Sequence, residues 1–358
     1  MPRIAVDAMG SDAAPRVEVE GVVAAVRARR GIDVLLVGDE NRLRAELKAL
    51  GAEGPRISVR HAPEVITMHD SPSMAVKQKK KSSMRVCFDL VKAGEADAVV
   101  SAGNSGAMMA CGLLVLGRLP GVERPAIVTT FPTRAGECAL LDMGANVDPK
   151  PAVLAQFGVL GAVYARLLHG KPHPNIGLLS NGSEEHKGTP LTRDAHQLLV
   201  RADAQSGADF TYVGYVEGRD IFKGEVDVVV TDGFTGNVVL KSVEGAAEVI
   251  LRMVREEVQR SGPLARLGAT LMTGVLKRLR SRTDYAEHGG APLLGVDGVA
   301  LICHGGSNAI AMKNAVFVAD RFAQQHLGKE LTSAVARHAF IWEGAPPVRP
   351  SSSAEAIP

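Results

Sequence analysis

Three segments of this 358-residue sequence contain side chains that can bind an anion and move a proton. The first, LLSNGSEEHKGTP at residues 178–190, places Lys187 among amide, hydroxyl, carboxylate and imidazole groups. Asn237 follows a glycine in FTGN, and His304 precedes two glycines in HGGSN. An ammonium, a side-chain amide and an imidazole can together hold a phosphate or an oxyanion and exchange a proton. We therefore take Lys187, Asn237 and His304 as the candidate catalytic residues.

Two further segments supply candidate substrate-binding residues. In GNSG the side chains of Asn104 and Ser105, with the backbone amides of Gly103 and Gly106, are suited to hold phosphate. Capping of a helix by Asn104 or Ser105 is the competing interpretation. In TDGFTGN we add Asp232 and Gly236 to this set. A carboxylate repels phosphate, so Asp232 is expected to orient Lys187 or a backbone amide.

Five glycine-rich polar segments each connect a predicted strand to a predicted helix. In an open parallel sheet such loops leave from one edge, where ligands bind, so we expect the five to converge. Glycines allow close backbone approach, and helix starts offer free amide hydrogens to an anion. Capping alone explains any single one of them, but five together favour a site. They are SAGNSGAM, DMGANVDPK, LSNGSEEHKGT, TDGFTGNVV and CHGGSNAI.

Several other chemistries lack their motifs in this sequence. The dinucleotide fingerprint is absent after the first predicted strand, and no Walker motif, zinc-ligand spacing or nucleophile elbow occurs. We therefore expect neither a cofactor nor a metal. Cys303, next to His304, is open to two interpretations, a thiolate nucleophile or a buried cysteine acting as a small apolar residue, and the second is favoured.

Short apolar runs alternate with segments of helical period, which predicts an α/β fold with a mostly parallel sheet and helices on both faces. Residues 1–343 are expected to form one catalytic domain, and the Pro- and Ser-rich residues 344–358 a mobile tail. The predicted strands are 4–8, 34–37, 57–60, 98–101, 126–130, 139–142, 176–179, 210–213, 226–231 and 299–303. The predicted helices are 17–29, 41–50, 73–92, 105–116, 152–168, 192–200, 237–260, 263–280, 308–325 and 329–342.

The composition is that of an ordinary globular protein. Hydrophobic residues make up 46%, charged residues 22% and aromatic residues 4%, and the net charge is +2. A balanced charge and few aromatic rings argue against a nucleic-acid partner. The four cysteines are widely spaced and no secretory signal precedes them, so we expect reduced thiols in a cytoplasmic protein. No uninterrupted apolar run is long enough to span a bilayer.

The motifs also resemble, in order, those of the phosphate acyltransferase family. The segments that carry the resemblance are IAVDAMGSDAAP, KKKSSM, SAGNSGAMM, LLDMGANVDPKP, VVVTDGFTGNVVLK and HGGSNAI, and it extends from about Ile4 to about Phe317. It implies transfer of a long-chain acyl group from acyl carrier protein to inorganic phosphate, which yields acyl phosphate for phospholipid synthesis, where a glycerol-3-phosphate acyltransferase acts next. It also implies a fold similar to isopropylmalate dehydrogenase and phosphotransacetylase, a homodimer, and a peripheral position at the membrane.

Within this interpretation each candidate residue has an expected role. Phosphate is itself a nucleophile, so the reaction requires positioning and charge stabilisation rather than a covalent intermediate. Asn237 is the first candidate for the oxyanion donor. Lys187, whose position matches the family's functional lysine, supplies the cation, with a solvated loop lysine as the alternative. His304 could take or give a proton, although a structural histidine is nearly as well supported.

Two surfaces are candidates for macromolecular contact. The run Lys79, Lys80 and Lys81 could dock the acidic carrier protein or hold phosphate, or it could simply be a solvated helix face. Residues 237–282 are expected to form a protruding helical hairpin without an acidic residue between 262 and 283. Its apolar stripe fits either an anionic lipid surface or a dimer or core contact. The stripe residues are Leu264, Leu267, Leu271 and Val275.

Overall fold

The fold is built on one eleven-stranded sheet. The computed structural model describes residues 1–204, 209–272, 274 and 289–342. The strands lie in the order β3-β2-β1-β4-β11-β10-β5-β6-β9-β7-β8. They span β1 Arg3–Asp7, β2 Asp33–Gly38, β3 Ile57–His61, β4 Ala98–Ser101, β5 Ala126–Thr133, β6 Gly136–Leu141, β7 Asn175–Leu179, β8 Thr211–Val216, β9 Val228–Val230, β10 Ala291–Leu294 and β11 Val299–Ile302.

Seven of the ten described strand pairings are parallel, which confirms the mostly parallel sheet. The three antiparallel pairings are consecutive and join β11 to β10, β10 to β5, and β5 to β6. Because an odd number of reversals separates the two halves, β6, β9, β7 and β8 run opposite to β1–β4 and β11. The expectation that all five loops leave from one edge of the sheet is therefore wrong.

Helices cover both faces of the sheet. Alternate residues of β1 belong to opposite cores, with Ile4 and Val6 on one face and Ala5 on the other. The helices span α1 Arg16–Ala28, α2 Glu40–Ala49, α3 Pro72–Gln78, α4 Ser83–Lys92, α5 Ser105–Cys111, α6 Pro151–Leu168, α7 Pro190–Asp203, α8 Gly233–Arg260, α9 Pro263–Leu271, α10 Ala309–Gln324 and α11 Leu327–Arg337.

Three helix predictions differ from the structure for local reasons. The single helix expected over 73–92 is interrupted, because α3 ends at Gln78 and the Ser82 hydroxyl caps a new helix by accepting a hydrogen bond from the Arg85 amide. The helix expected at 237 begins at Gly233, where the Asp232 side chain caps it. The segment 105–116 ends in a π-helical turn over Gly112–Leu116.

The sequence patterns did not predict strand β10.

Helix α6 is the one described helix with the length and composition of a membrane span, and 72% of it is buried inside the molecule. Its residues Leu154, Phe157 and Leu160 pack in the main apolar core. An apolar helix in this position is explained by packing between elements of the protein itself.

Helix α8 differs from the others in its exposure. It has 28 residues, of which only Gly233 and Gly236 are buried. Helix α9 follows after Ser261 and Gly262. Residue 273 and residues 275–288 lie outside the described part, so the hairpin expected over 237–282 stays a prediction, as do the domain boundary at 343 and the tail beyond it.

Candidate active site

A cavity of about 450 Å³ lies between the two halves of the sheet. Its floor includes Ile127 and Thr129 of β5 and Ala291 of β10. On one side lie the loops that follow β1, β3, β4 and β11, and on the other lies the first part of α8. The antiparallel strands that reverse the sheet thus form the middle of the site, and the ends of β11 and β6 approach it from opposite sides.

The cavity brings together three of the candidate residues whose side chains were expected to act on the substrates. Ser105, Asn237 and His304 all line it. Its polar wall also includes Asp12, Lys241 and Glu244, which the sequence interpretation missed. Lys241 follows Asn237 by four residues, so the helical period alone would have placed both on one side of α8. Apolar residues complete the wall: Met68, Met143, Leu240 and Ile302.

His304 stands in a loop braced by hydrogen bonds. Its Nδ1 accepts a hydrogen bond of 3.0 Å from the Gly306 amide. Because that nitrogen accepts, the neutral ring carries its proton on Nε2. The Asp12 amide donates to the Gly305 carbonyl at 3.0 Å and ties this loop to the one after β1. The neutral ring is therefore a hydrogen-bond donor through Nε2.

The Asn104 side chain is engaged in positioning. Its Oδ1 accepts from the Ala107 amide at 3.0 Å and caps α5, while Nδ2 donates to the carbonyls of Thr67, Met68 and Asp70 at 3.3–3.4 Å. The Asn104 side chain therefore caps a helix, as the competing interpretation expected. It also holds in place the segment that carries Met68 into the cavity.

The Gly103 amide, which was expected to face phosphate, donates to Ser101 Oγ at 3.0 Å. The Ser101 hydroxyl in turn donates to the buried Asp7 carboxylate at 2.7 Å. Gly106 lies against the ring of Pro72, which an added Cβ would approach to 2.8 Å. Gly103 and the exposed Ser105 are the residues of this group that line the cavity, and Ser105 is the one whose side chain can offer a hydroxyl there.

Asp232 and Gly236 position the start of α8. Asp232 caps the helix by accepting from the Thr235 amide at 2.8 Å and the Thr235 hydroxyl at 2.7 Å. Gly236 is buried so tightly that an added Cβ would overlap the Asp142 carbonyl oxygen. Neither residue lines the cavity, and both hold the helix that presents Asn237 to it.

Asp142 is the buried anchor below that helix. Its carboxylate accepts from the amides of Ile127, Ala145 and Asn146 and from the Asn146 side chain, at 2.6–3.1 Å. Burial raises the pKa of Asp142, an effect that these hydrogen bonds oppose. The Asn146 carbonyl accepts from the Gly233 amide at 2.7 Å. One carboxylate therefore links β5, the loop after β6 and α8.

The segment around Lys187 forms a compact turn after β7. Asn181 Oδ1 accepts from the Gly188 amide at 2.9 Å, and the Lys187 amide donates to the Glu184 carbonyl at 2.9 Å. Gly188 has a φ of +85°, which glycine adopts without strain. Lys187 is half-buried and is not in the cavity wall, from which β9 separates this turn. Its catalytic role stays a prediction.

The lysine run divides into two parts. The Lys79 ammonium lies 2.6 Å from Asp70 Oδ2 and 3.0 Å from the Val65 carbonyl, so it fastens the loop before α3. Its hydrogen bond lowers the pKa of Asp70. Lys80 and Lys81 are exposed. Any docking or phosphate contact of this run therefore depends on the latter two.

Cys303 faces the cavity as a buried thiol. It is 5% exposed, and burial raises its pKa to about 12. At neutral pH such a cysteine is protonated, so it does not provide a thiolate nucleophile. Cys303 is therefore a buried cysteine that acts as a small apolar residue. Within the described residues, no group of three His, Cys, Asp or Glu side chains is arranged to hold a metal ion.

The apolar stripe of α9 is partly described. Leu267 is 58% exposed and Leu271 is 79% exposed. Leu264 lies in the helix, but its side chain is not described, and Val275 lies outside the described residues. Further apolar side chains are exposed on α8, among them Ile250 and Met253. Exposed apolar side chains in this number are typical of contact with a partner or a membrane.

The fold is an α/β fold that is also seen in solved phosphotransacetylases. The EutD phosphotransacetylase from Staphylococcus aureus superposes with a TM-score of 0.59 at 17% identity, over 90% of this chain and 94% of that one. A phosphotransacetylase from Streptococcus pyogenes gives a TM-score of 0.62 at 18% identity, with coverage of 90% and 94%. At these identities the comparison establishes the fold.

Sequence comparison identifies the family. The fatty acid synthesis protein family matches residues 2–329. The phosphate acyltransferase of Geobacter sulfurreducens is 54% identical over 92% of this chain and 93% of its own length, and that of Syntrophotalea carbinolica is 53% identical over 92% of each chain. The chain therefore belongs to the phosphate acyltransferase family, and it is an acyltransferase.

Proposed function

We propose that this protein transfers a long-chain fatty acyl group from acyl carrier protein to inorganic phosphate, and that the acyl phosphate product enters phospholipid synthesis. The relatives at 53–54% identity are named for phosphate and an acyl group, and the matching family is named for fatty acid synthesis. The carrier-protein donor, the chain length and the route of attack are the parts that this proposal adds.

The two-sided chemistry of the cavity is the observation that carries the proposal. Ser105, Asn237 and His304 supply polar groups on part of its wall, and Met68, Met143 and Leu240 supply an apolar part. An acyl thioester brings an apolar chain and a polar carbonyl, and phosphate brings an anion. A cavity with both kinds of wall can hold the two reactants side by side, which removes most of the entropic cost of their encounter.

The proposed reaction is one displacement. A phosphate oxygen attacks the thioester carbonyl carbon, and the tetrahedral intermediate collapses with cleavage of the carbon–sulfur bond. The proton of the hydrogen phosphate passes to the leaving sulfur, which gives the free thiol of the carrier. The Asn237 amide donates to the oxyanion. His304, with its proton on Nε2, donates a hydrogen bond to phosphate, and Lys187 supplies the cation proposed from the sequence.

Three partnerships complete the proposal. The exposed Lys80 and Lys81 attract the acidic carrier protein. The exposed apolar residues of α8 and α9 contact an anionic membrane surface, a second copy in a homodimer, or both. The protein would then be a cytoplasmic protein bound at the periphery of the membrane. A glycerol-3-phosphate acyltransferase would consume the product there.

One assay with purified protein tests the reaction. Long-chain acyl carrier protein is incubated with and without inorganic phosphate, and loss of thioester is measured together with hydroxylamine-trappable acyl phosphate. We expect both signals only when phosphate is present. Thioester loss without phosphate would identify a hydrolase. Turnover with acyl coenzyme A and none with the carrier thioester would replace the proposed donor with that of a phosphotransacetylase.

A further inference from the structure

The cavity wall has an unbalanced set of charges. Two carboxylates, Asp12 and Glu244, line it, and among the residues that the structure describes Lys241 is the one lysine or arginine there. An incoming phosphate meets repulsion from both carboxylates, so a cation in the same wall is needed to offset it. The lysines singled out in the sequence, Lys187 and Lys79, stand outside this wall.

Lys241 is placed to meet the same ligand as Asn237. The two residues are separated by four positions on α8, so their side chains leave the helix on the same side, and both line the cavity. Ser105 and His304 line the opposite wall of the same cavity. A lysine in this position presents three donors and a full positive charge to an anion held between the two walls.

The ammonium of Lys241 already has an anionic partner. Its Nζ lies 2.8 Å from Glu244 Oε2, three residues further along the helix. The Lys241 side chain is 57% exposed and that of Glu244 is 34% exposed. Pairs of this kind on a solvated helix are weak, so a phosphate can displace the carboxylate at small cost. In the absence of phosphate, the Glu244 carboxylate is paired with the Lys241 ammonium.

We propose that Lys241 binds the phosphate substrate and that Glu244 competes with phosphate for its ammonium. This inference rests on the proposed function and deepens it. Phosphate binding then exchanges one ion pair for another, and the affinity of the enzyme for phosphate is set by the difference between the two. Removal of either partner changes that affinity, in opposite directions.

Kinetics of two variants and two matched controls test the exchange. Lys241→Gln is expected to raise KM for phosphate about tenfold, because one charged hydrogen-bond donor is lost. Glu244→Gln is expected to lower that KM about threefold, because the competing anion is gone. KM for acyl carrier protein should stay unchanged in both variants.

The controls come from the same helix. Arg252 and Glu248 form a comparable ion pair at 2.7 Å, and neither residue lines the cavity. Arg252→Gln and Glu248→Gln should leave KM for phosphate at the wild-type value. The inference is overturned by a Lys241→Gln enzyme with wild-type KM for phosphate, by a Glu244→Gln enzyme that behaves like Glu248→Gln, or by a change confined to KM for the acyl donor.

Thermal unfolding with inorganic phosphate separates this inference from the proposed reaction. Phosphate should raise the melting temperature of the wild-type protein, and it should do so less in Lys241→Gln at the same concentration. Equal shifts in the two proteins would overturn the role of Lys241 whatever the turnover shows. A wild-type enzyme without phosphate-dependent turnover would refute the proposed function and leave this binding test valid.

Discussion

At the scale of single residues, the side chains of the site divide into those that face the cavity and those that hold them. Asn237, Ser105 and His304 face it, whereas Asn104 and Asp232 cap helices. A polar residue in a glycine-rich loop can serve either purpose, and its type does not distinguish them. The distinction is visible only from the direction of the side chain.

Asn237→Ala should lower turnover by about a hundredfold or more, the usual effect of removing one oxyanion donor. Asn237 is exposed, so the folded state should be unaffected. The measurement is kcat with saturating acyl carrier protein and phosphate, together with the melting temperature. Glu248→Gln on the same helix serves as the control. An Asn237→Ala enzyme with full kcat would remove this residue from the site.

Lys187→Ala tests a role that the cavity wall does not reveal. If Lys187 supplies a cation to the bound phosphate, its loss should lower kcat/KM for phosphate by about tenfold or more. Lys171, which is paired with Asp227 on the surface, offers a matched control as Lys171→Ala. Equal activity of the two variants would identify Lys187 as a solvated loop lysine.

Glu18 is a buried carboxylate that should affect how the free energy of unfolding depends on pH. It is fully buried on α1 and accepts from the Ser11 amide at 3.0 Å. Burial raises the pKa of Glu18 above its ordinary 4.5. The folded protein then holds a proton that the unfolded chain releases, so the free energy of unfolding falls as pH rises from about 4.5 through the raised pKa.

Glu18→Gln keeps the shape of the side chain and removes this titration. Its free energy of unfolding should fall less steeply over that pH range than that of the wild type. Urea unfolding at a series of pH values measures the difference, and Glu20→Gln, on the more exposed side of the same helix, is the control. If the free energies of unfolding of the wild type and Glu18→Gln changed with pH in parallel, the raised pKa of Glu18 would be contradicted.

At the scale of elements, the start of α8 is the part of the fold on which the site most depends. Gly233 and Gly236 let this helix pack against the loop after β6, and Asp142 fastens that loop from below. The repeated glycines of DGFTGN therefore serve close packing of backbone on backbone. In the sequence they look the same as glycines that approach a ligand.

Gly236→Ala should be strongly destabilising, by about 2–3 kcal/mol, because its Cβ would collide with the Asp142 carbonyl. Gly245→Ala, further along the same helix and with nothing within 4 Å, should instead be stabilising by up to about 1 kcal/mol. Chemical unfolding of the two variants measures both effects. A Gly236→Ala protein as stable as Gly245→Ala would show that the helix can shift without cost.

At the scale of the whole molecule, two features of the chain stand apart from its core. The sheet reverses direction at β10 and β5, which creates the cavity between its halves. Helices α8 and α9 leave many apolar side chains exposed, including Leu267 and Leu271. The first feature places the candidate active site between the two halves of the sheet. The second is the basis of the proposed contact with a membrane or a second copy.

Leu271→Glu should reduce binding to anionic vesicles by at least about tenfold, because an exposed apolar anchor becomes a charge repelled by the lipid. Soluble turnover should be retained. Thr270→Glu adds the same charge to an exposed position off the apolar stripe and serves as the control. Vesicle sedimentation and the native mass are both measured. A change of mass with vesicle binding unaltered would assign the stripe to the dimer contact.

Sequence patterns are sufficient to predict the class of fold, the family and most of the loops that line the cavity. Ten of the eleven strands in the described part of the chain follow from short apolar runs, because a buried parallel strand must be apolar on both faces. The exception, β10, is a strand in the antiparallel centre of the sheet, and Pro292 within it is a residue that argues against a strand.

Which polar residues meet depends on how the whole chain folds. The reversal at β10 and β5 depends on which strands pair, and pairing joins residues far apart in the chain. It brings Asn237 and Lys241 of one half opposite Ser105 and His304 of the other, and it leaves Lys187 outside the cavity wall. Local pattern specifies each element and its loop, whereas the direction in which a strand enters the sheet is set by packing over the whole molecule.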